Sequence, residues 1–137
     1  EELLNAAFIK DVFVDRQELA IGFNGIAYFL PDEKVKHALQ TLYAWAGEGS
    51  KLFLCDADAD VSDVTHKLKP VFDLYASIGQ PIHIRSKEKL FKMAKPWKID
   101  DPGVRTLDEW VGMGGSVTQH TKSEWGGEGF YGVIFDK

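Results

Sequence analysis

Apolar residues at Leu3, Leu4, Ala7, Phe8 and Val12 recur at helical spacing and predict one helical face over Glu2 to Phe13. Asp15-Arg16 reads as a connection. Leu19 to Phe23 is then a short run apolar on both faces, the pattern of a strand inside a sheet covered by helices. Asn24-Gly25 follows as a turn, and Ile26 to Phe29 forms a second apolar patch before Leu30-Pro31-Asp32. A helix opens at Pro31 or Asp32, with Glu33 in its first turn and Val35, Leu39, Leu42, Tyr43 and Ala46 on one face. Gly47 and Gly49 stop it, and Lys51 to Cys55 is a second buried-type strand.

Strand, helix, strand in this order predicts two adjacent parallel strands joined by a right-handed crossover. Both strands then end on one edge of the sheet, where open α/β sheets bind their ligands. Asp56, Asp58 and Asp60 are expected just beyond the second strand. A further helix is expected from Ser62 or Asp63 to Ser77, kinked or broken at Pro70 and ended by Gly79. Pro81 to Ile84 reads as extended, Ser86 caps another helix with Leu90, Phe91 and Met93 inward, and Pro96 ends it. Trp97 to Asp100 reads as a strand, Asp101-Pro102-Gly103 as a turn, and Phe130 to Phe135 as the last strand. Val104 to Val111 fits no single element, and Met113 to Gly127 reads as a mobile loop.

A chain of 137 residues suits one domain, and 45% apolar with 27% charged residues is ordinary for a globular protein. The net charge of −5 comes from mixed signs with no basic run, so an electrostatic nucleic-acid footprint is absent. No stretch approaches the length of a membrane span and no signal peptide is visible, so neither nucleic acid nor membrane is expected as a partner. A single cysteine, Cys55, rules out an intramolecular disulfide, and its apolar surroundings make it a packed thiol compatible with a reducing, cytoplasmic compartment. The chain begins Glu1-Glu2-Leu3 without methionine and reads as processed or truncated.

Asp56, Asp58 and Asp60 imitate the start of a calcium loop, but Val61 and Lys67 stand where such a loop needs glycine and glutamate. No metal is expected, and the run reads as a solvated loop and helix cap, with Asp56 alone a plausible pocket residue. His37, His66, His83 and His120 lack ligand spacing. Gly112, Gly114 and Gly115 precede no helix start, so they do not form a phosphate loop. Trp110 and Trp125 flank the expected loop and either line an apolar pocket or staple that loop down.

Three segments taken together carry a family resemblance: AIGFNGIAYFLPD from Ala20, GSKLFLCDADAD from Gly49, and RSKEKLFKMAKPWKIDDPGVRTLDEW from Arg85. Their order and spacing resemble the C-terminal half of class I S-adenosylmethionine-dependent methyltransferases, in particular a bacterial group common in actinobacteria. In that group the fourth strand runs into a leucine-histidine-phenylalanine-x-proline-aspartate motif, a proline-glycine-serine turn precedes the fifth strand, and an arginine-serine-x-glutamate helix follows. The sequence departs from it at Tyr28 and at Asp56, both of which stand where the group has histidine.

The resemblance implies an α/β fold, the C-terminal portion of a Rossmann-like methyltransferase sheet with strands four to seven and flanking helices, the last two strands antiparallel. It implies S-adenosylmethionine as cofactor of the complete fold and an unknown small-molecule acceptor. The glycine-rich cofactor loop and the ribose-binding acid would precede Glu1. Phe23, Asn24, Gly25 and Ile26, after the fourth strand, become the residues expected to border the cofactor. Tyr28 and Asp56 become candidate catalytic residues, with Asn24 a further candidate for positioning. The outer edge of Leu19 to Phe23 would face a missing first strand, so a homo-oligomer, an N-terminal partner polypeptide or a non-catalytic subunit is also expected.

Overall fold

In the computed structural model, residues 2–13, 18–58, 68–113 and 129–137 are described. Asp60, the stretch from Ser62 to Lys67 with His66, and most of the expected loop, with His120 and Trp125, lie outside them.

The expected parallel pair is present. β1 (Ala20–Asn24) runs beside β2 (Lys51–Asp58), Ala20 opposite Lys51 and Asn24 opposite Cys55. Between them α3 (Asp32–Trp45) begins after Pro31, carries Asp32 and Glu33 in its first turn, and buries Val35 and Leu39. β2 is longer than the predicted Lys51 to Cys55, because Asp56, Ala57 and Asp58 pair with Tyr131, Phe130 and Gly129 of the last strand, β5 (Gly129–Asp136). Cross-strand pairing overrides the poor strand propensity of aspartate here. Asp56 and Asp58 therefore lie within the strand rather than beyond it, and Asp56 is buried instead of solvated.

β5 is antiparallel to β2 on one side and to β3 (Lys98–Ile99) on the other, and β4 (Arg105–Thr106) also pairs with it. The sheet order is β1-β2-β5-β3, an α/β arrangement whose C-terminal strands are antiparallel. The first helical stretch differs from the continuous face predicted. It divides at Ala6 into α1 (Glu2–Asn5) and α2 (Ala7–Phe13), neither of which buries a residue. Ile9 N–H reaches back three residues to the Ala6 carbonyl, the tighter spacing of a broken helix.

The described part of the next helix is α4 (Lys69–Ser77), with Pro70 in its first turn, where a missing N–H costs no helix bond. α5 (Lys87–Ala94) is capped by Ser86 Oγ, which accepts from Lys89 N at 3.3 Å. The ambiguous Val104 to Val111 stretch is β4 followed by one turn, α6 (Leu107–Trp110), closed by a capping box between Thr106 and Glu109.

The core lies on one face of the sheet. Phe23, Leu52, Leu54, Tyr131, Val133 and Phe135 point to it from the strands, and Val35, Leu39, Leu90 and Met93 cover them from α3 and α5. Trp97 closes its base, donating from Nε1 to the Leu39 carbonyl at 2.9 Å and meeting Tyr43 edge-on at 5.1 Å. The other face, predicted to be covered as well, is open in part among the described residues. Ala20, Gly22, Asn24, Lys51, Phe53 and Ile134 line a groove of about 370 Å³ there. Trp110 covers its neighbour, packing on Phe53 at 5.9 Å and donating to the Gly132 carbonyl at 3.0 Å.

Candidate functional site

β1 and β2 end at the same edge, and the chain leaving β1 turns sharply over it. Gly25 makes that turn with a φ of +61°, a conformation that favours glycine. Its N–H donates to the Cys55 carbonyl at 3.0 Å, holding the turn on β2. A side chain would also meet Tyr28, whose hydroxyl is 3.2 Å from where a Cβ would stand. Ala27 to Phe29 then form one turn of 3-10 helix. It buries Ala27, leaves Ile26 exposed and half-buries Tyr28.

Tyr28 heads an aromatic group: its ring lies 4.5 Å from Phe29 and 6.4 Å from Phe130 on β5, and Phe29 in turn meets Tyr75 of α4 at 5.6 Å. Asp56 shares this end of the sheet. It is 2% exposed, accepts from the Ala57 N–H through Oδ1 at 2.8 Å, and burial pushes its carboxyl up to about 6. Burial and then the Asp56 charge push the Tyr28 phenol above its ordinary value, and burial raises the Cys55 thiol. Tyr28 therefore stays a neutral phenol at physiological pH, while Asp56 titrates close to it.

The residues singled out in the sequence thus divide. Gly25, Tyr28 and Asp56 come together at the carboxyl edge. Phe23 belongs by its side chain to the core. Asn24 is at the same edge but on the opposite face from Asp56, its amide folded over Gly22 beside the groove. Among the described residues no group of histidine, cysteine and carboxylate side chains could hold a metal ion, and no helix is long and apolar enough to cross a membrane.

One residue with no role assigned from the sequence is central. Arg85 is buried and donates to the Ala27 and Leu30 carbonyls, each at 2.7 Å, and to Asp32 Oδ1 at 3.1 Å. Its sequence signal is the arginine-serine-x-glutamate pattern Arg85-Ser86-Lys87-Glu88, which announces a helix and not a buried guanidinium, and its partners lie more than fifty residues away.

Comparison with known proteins places this geometry. A family model described as S-adenosyl methyltransferase matches residues 1–133. No curated protein matches the chain. The fold is similar to the crystal structure of a DUF574 family protein from Streptomyces avermitilis, with a TM-score of 0.78 and 17% identity, over 99% of this chain and 50% of that one. It is similar to a candidate methyltransferase from Thermobifida fusca (TM-score 0.69, 14% identity, 98% and 49% covered). A SAM-dependent methyltransferase from Anabaena variabilis shares the fold more loosely (TM-score 0.55, 12% identity, 92% and 52% covered). The chain spans about half the length of these solved structures. With the match running through nearly every element described above, the chain belongs to the S-adenosyl methyltransferase family.

Proposed function

We propose that this chain supplies the acceptor side of a methyl-transfer site, with Tyr28 and Asp56 as its working residues. The observation that carries the proposal is their juxtaposition: a buried carboxyl that titrates near about 6 beside a neutral phenol, at the carboxyl ends of two parallel strands. Asn24 and Ile26, both exposed at the tip of β1, and the bare turn at Gly25 fit one wall of a cofactor site, offering an amide for hydrogen bonding and an apolar surface. No glycine-rich turn follows a strand here, so the greater part of S-adenosylmethionine binding falls to residues outside this chain.

S-adenosylmethionine, when bound, supplies a methyl group on an electrophilic sulfonium. The work left to the protein is alignment of the acceptor, a proximity effect. It also includes removal of a proton where the acceptor must lose one. Asp56 is ionised above about pH 6 and is the group that takes such a proton. Tyr28, neutral throughout, orients the acceptor through its hydroxyl. The aromatic rings of Phe29 and Phe130 pack beside Tyr28 at this end of the sheet.

Calorimetry with S-adenosylhomocysteine tests this reading. This chain alone is expected to show no micromolar binding, and a longer polypeptide of the same protein is expected to bind. With an active form in hand, Tyr28→Phe should lower turnover more than it lowers stability. Unchanged kinetics would remove Tyr28 from the mechanism.

A second reading is favoured by the sheet edge. β1 pairs with β2 on one side and with no strand on the other among the described residues, next to the partly open face. We propose that this edge takes a strand from a second copy or from an N-terminal polypeptide. Light scattering at micromolar concentration should show a species heavier than the 15.4 kDa chain. A sharp monomer with a cooperative melt refutes it.

A further inference from the structure

We propose that Arg85 is the positioning residue of this site, its guanidinium locking the carbonyls of the turn that carries Tyr28 and so fixing the phenol over Gly25. The inference rests on the reading that Tyr28 orients the acceptor. A buried guanidinium is costly unless its donors are met, and a planar fork is suited to meeting several at once. Here the side chain is 1% exposed, and all three nitrogens find oxygen within residues 27–32: the Ala27 carbonyl, the Leu30 carbonyl and the Asp32 carboxylate. The same strand of chain adds a further bond, His83 N–H to the Tyr28 carbonyl at 2.7 Å. Residues 83–85 thereby hold the carbonyls of Ala27, Tyr28 and Leu30, which bracket the Tyr28 side chain. Lys89 shares Asp32 with Arg85, and α5 anchors the strap from behind.

This arrangement does more than join two segments. The turn from Gly25 to Leu30 has few bonds of its own, the Phe29 and Leu30 amides reaching back to Ile26 and Ala27 at 3.1 Å. The Tyr28 hydroxyl lies 3.2 Å from where a Cβ on Gly25 would stand, so a side chain there would crowd it. The grip on the carbonyls therefore decides where the hydroxyl sits. Arg85 also carries a positive charge toward Asp56 and works against the effect of burial on that carboxyl. Among the described residues, the other titratable groups acting with Asp56 are Tyr28 and Cys55, and Tyr131 stands opposite it on β5.

The test uses nuclear magnetic resonance on the protein and two variants. Arg85→Lys keeps the charge and loses the fork. It should lose the contact signal between the Tyr28 ring and the Gly25 α-protons while Asp56 still titrates near about 6. Arg85→Met should lose that signal and move the Asp56 midpoint upward as well. Asp32→Asn removes the carboxylate partner but leaves both carbonyl bonds, and should keep the Tyr28–Gly25 signal. A folded Arg85→Lys that retains the signal overturns the proposal. Should neither Arg85 variant fold, hydrogen exchange in the unmodified protein decides: Arg85 Nε–H and His83 N–H exchanging as fast as exposed groups overturns it as well. The methyl-transfer reading fails separately. Absent S-adenosylhomocysteine binding in every form of the protein would refute that reading with the Arg85 results standing. Turnover that needs Tyr28 and is indifferent to Arg85→Lys would remove Arg85 alone.

Discussion

Replacing Asp56 by asparagine should make the protein more stable at neutral pH. Folding moves this carboxyl from its ordinary 3.8 to about 6, chiefly by burial. The native state therefore binds the proton more tightly than the unfolded chain. Below the ordinary 3.8 both states are protonated and the residue is neutral to stability. As pH rises towards about 6 the unfolded chain gains the ionised form more readily, so the native state loses ground, and above about 6 the full penalty applies. A displacement of this size corresponds to about 3 kcal/mol, a large share of a typical domain stability of about 5–15 kcal/mol. Asparagine keeps the acceptor for the Ala57 N–H, made at 2.8 Å by Oδ1, and removes the charge. Its own amide hydrogens need partners, which reduces the expected gain to about 0–2 kcal/mol. Urea unfolding of both proteins from pH 4 to pH 8 would measure it, and subtraction cancels the depressed carboxyls of Asp32, Glu88 and Asp100, which act with the opposite sign. The variant's advantage should grow through the acid range and level off above about 6. A difference that is flat with pH, or one that favours the native aspartate as pH rises, would refute the reasoning. The gain in stability should come with a loss of any activity that uses Asp56 as a base.

Other outcomes follow from packing. Trp97→Ala should cost about 3–5 kcal/mol in denaturant unfolding, since it empties a buried site and leaves the Leu39 carbonyl without its indole partner. Gly132→Ala should cost about 1–3 kcal/mol and shift the emission of Trp110, because the new methyl would stand 2.8 Å from the Phe53 ring and 3.0 Å from the Trp110 Nε1. Ser50→Ala should lower stability by about 1–2 kcal/mol, as Ser50 Oγ accepts the Leu19 N–H at 3.0 Å at the entry to β1.

The parts of this fold that a linear pattern encodes were readable in advance. Val35 and Leu39 repeat at helical spacing and do face the core, and the apolar runs at Leu52 and Leu54 and at Ile21 and Phe23 lie side by side in parallel. What escaped depends on partners far along the chain. Asp56 reads as a loop residue until Tyr131 pairs with it. Arg85 opens an arginine-serine-x-glutamate pattern in the sequence, and its burial follows only when Ala27 and Leu30 come within reach. Val104 to Val111 fits no single element because a two-residue strand followed by one helical turn leaves no period to detect. Of the site, the turn at Gly25 was signalled by its Asn-Gly pair, whereas the burial that perturbs Asp56 arises only when the sheet closes.

β5 comes last among the described strands yet occupies the middle of the sheet, between β2 and the short β3 and β4. A ribosome adding about 5–20 residues per second takes on the order of ten seconds from β1 to β5. Through that interval β2 offers an unpaired edge, β3 and β4 have no strand to join, and Leu52 and Leu54 lack Val133 and Phe135. Such an edge is where a nascent chain meets other nascent chains. The cell therefore has to shelter this protein until residues 129–137 are made. A premature stop in that stretch removes the keystone of the sheet and leaves a product destined for proteolysis.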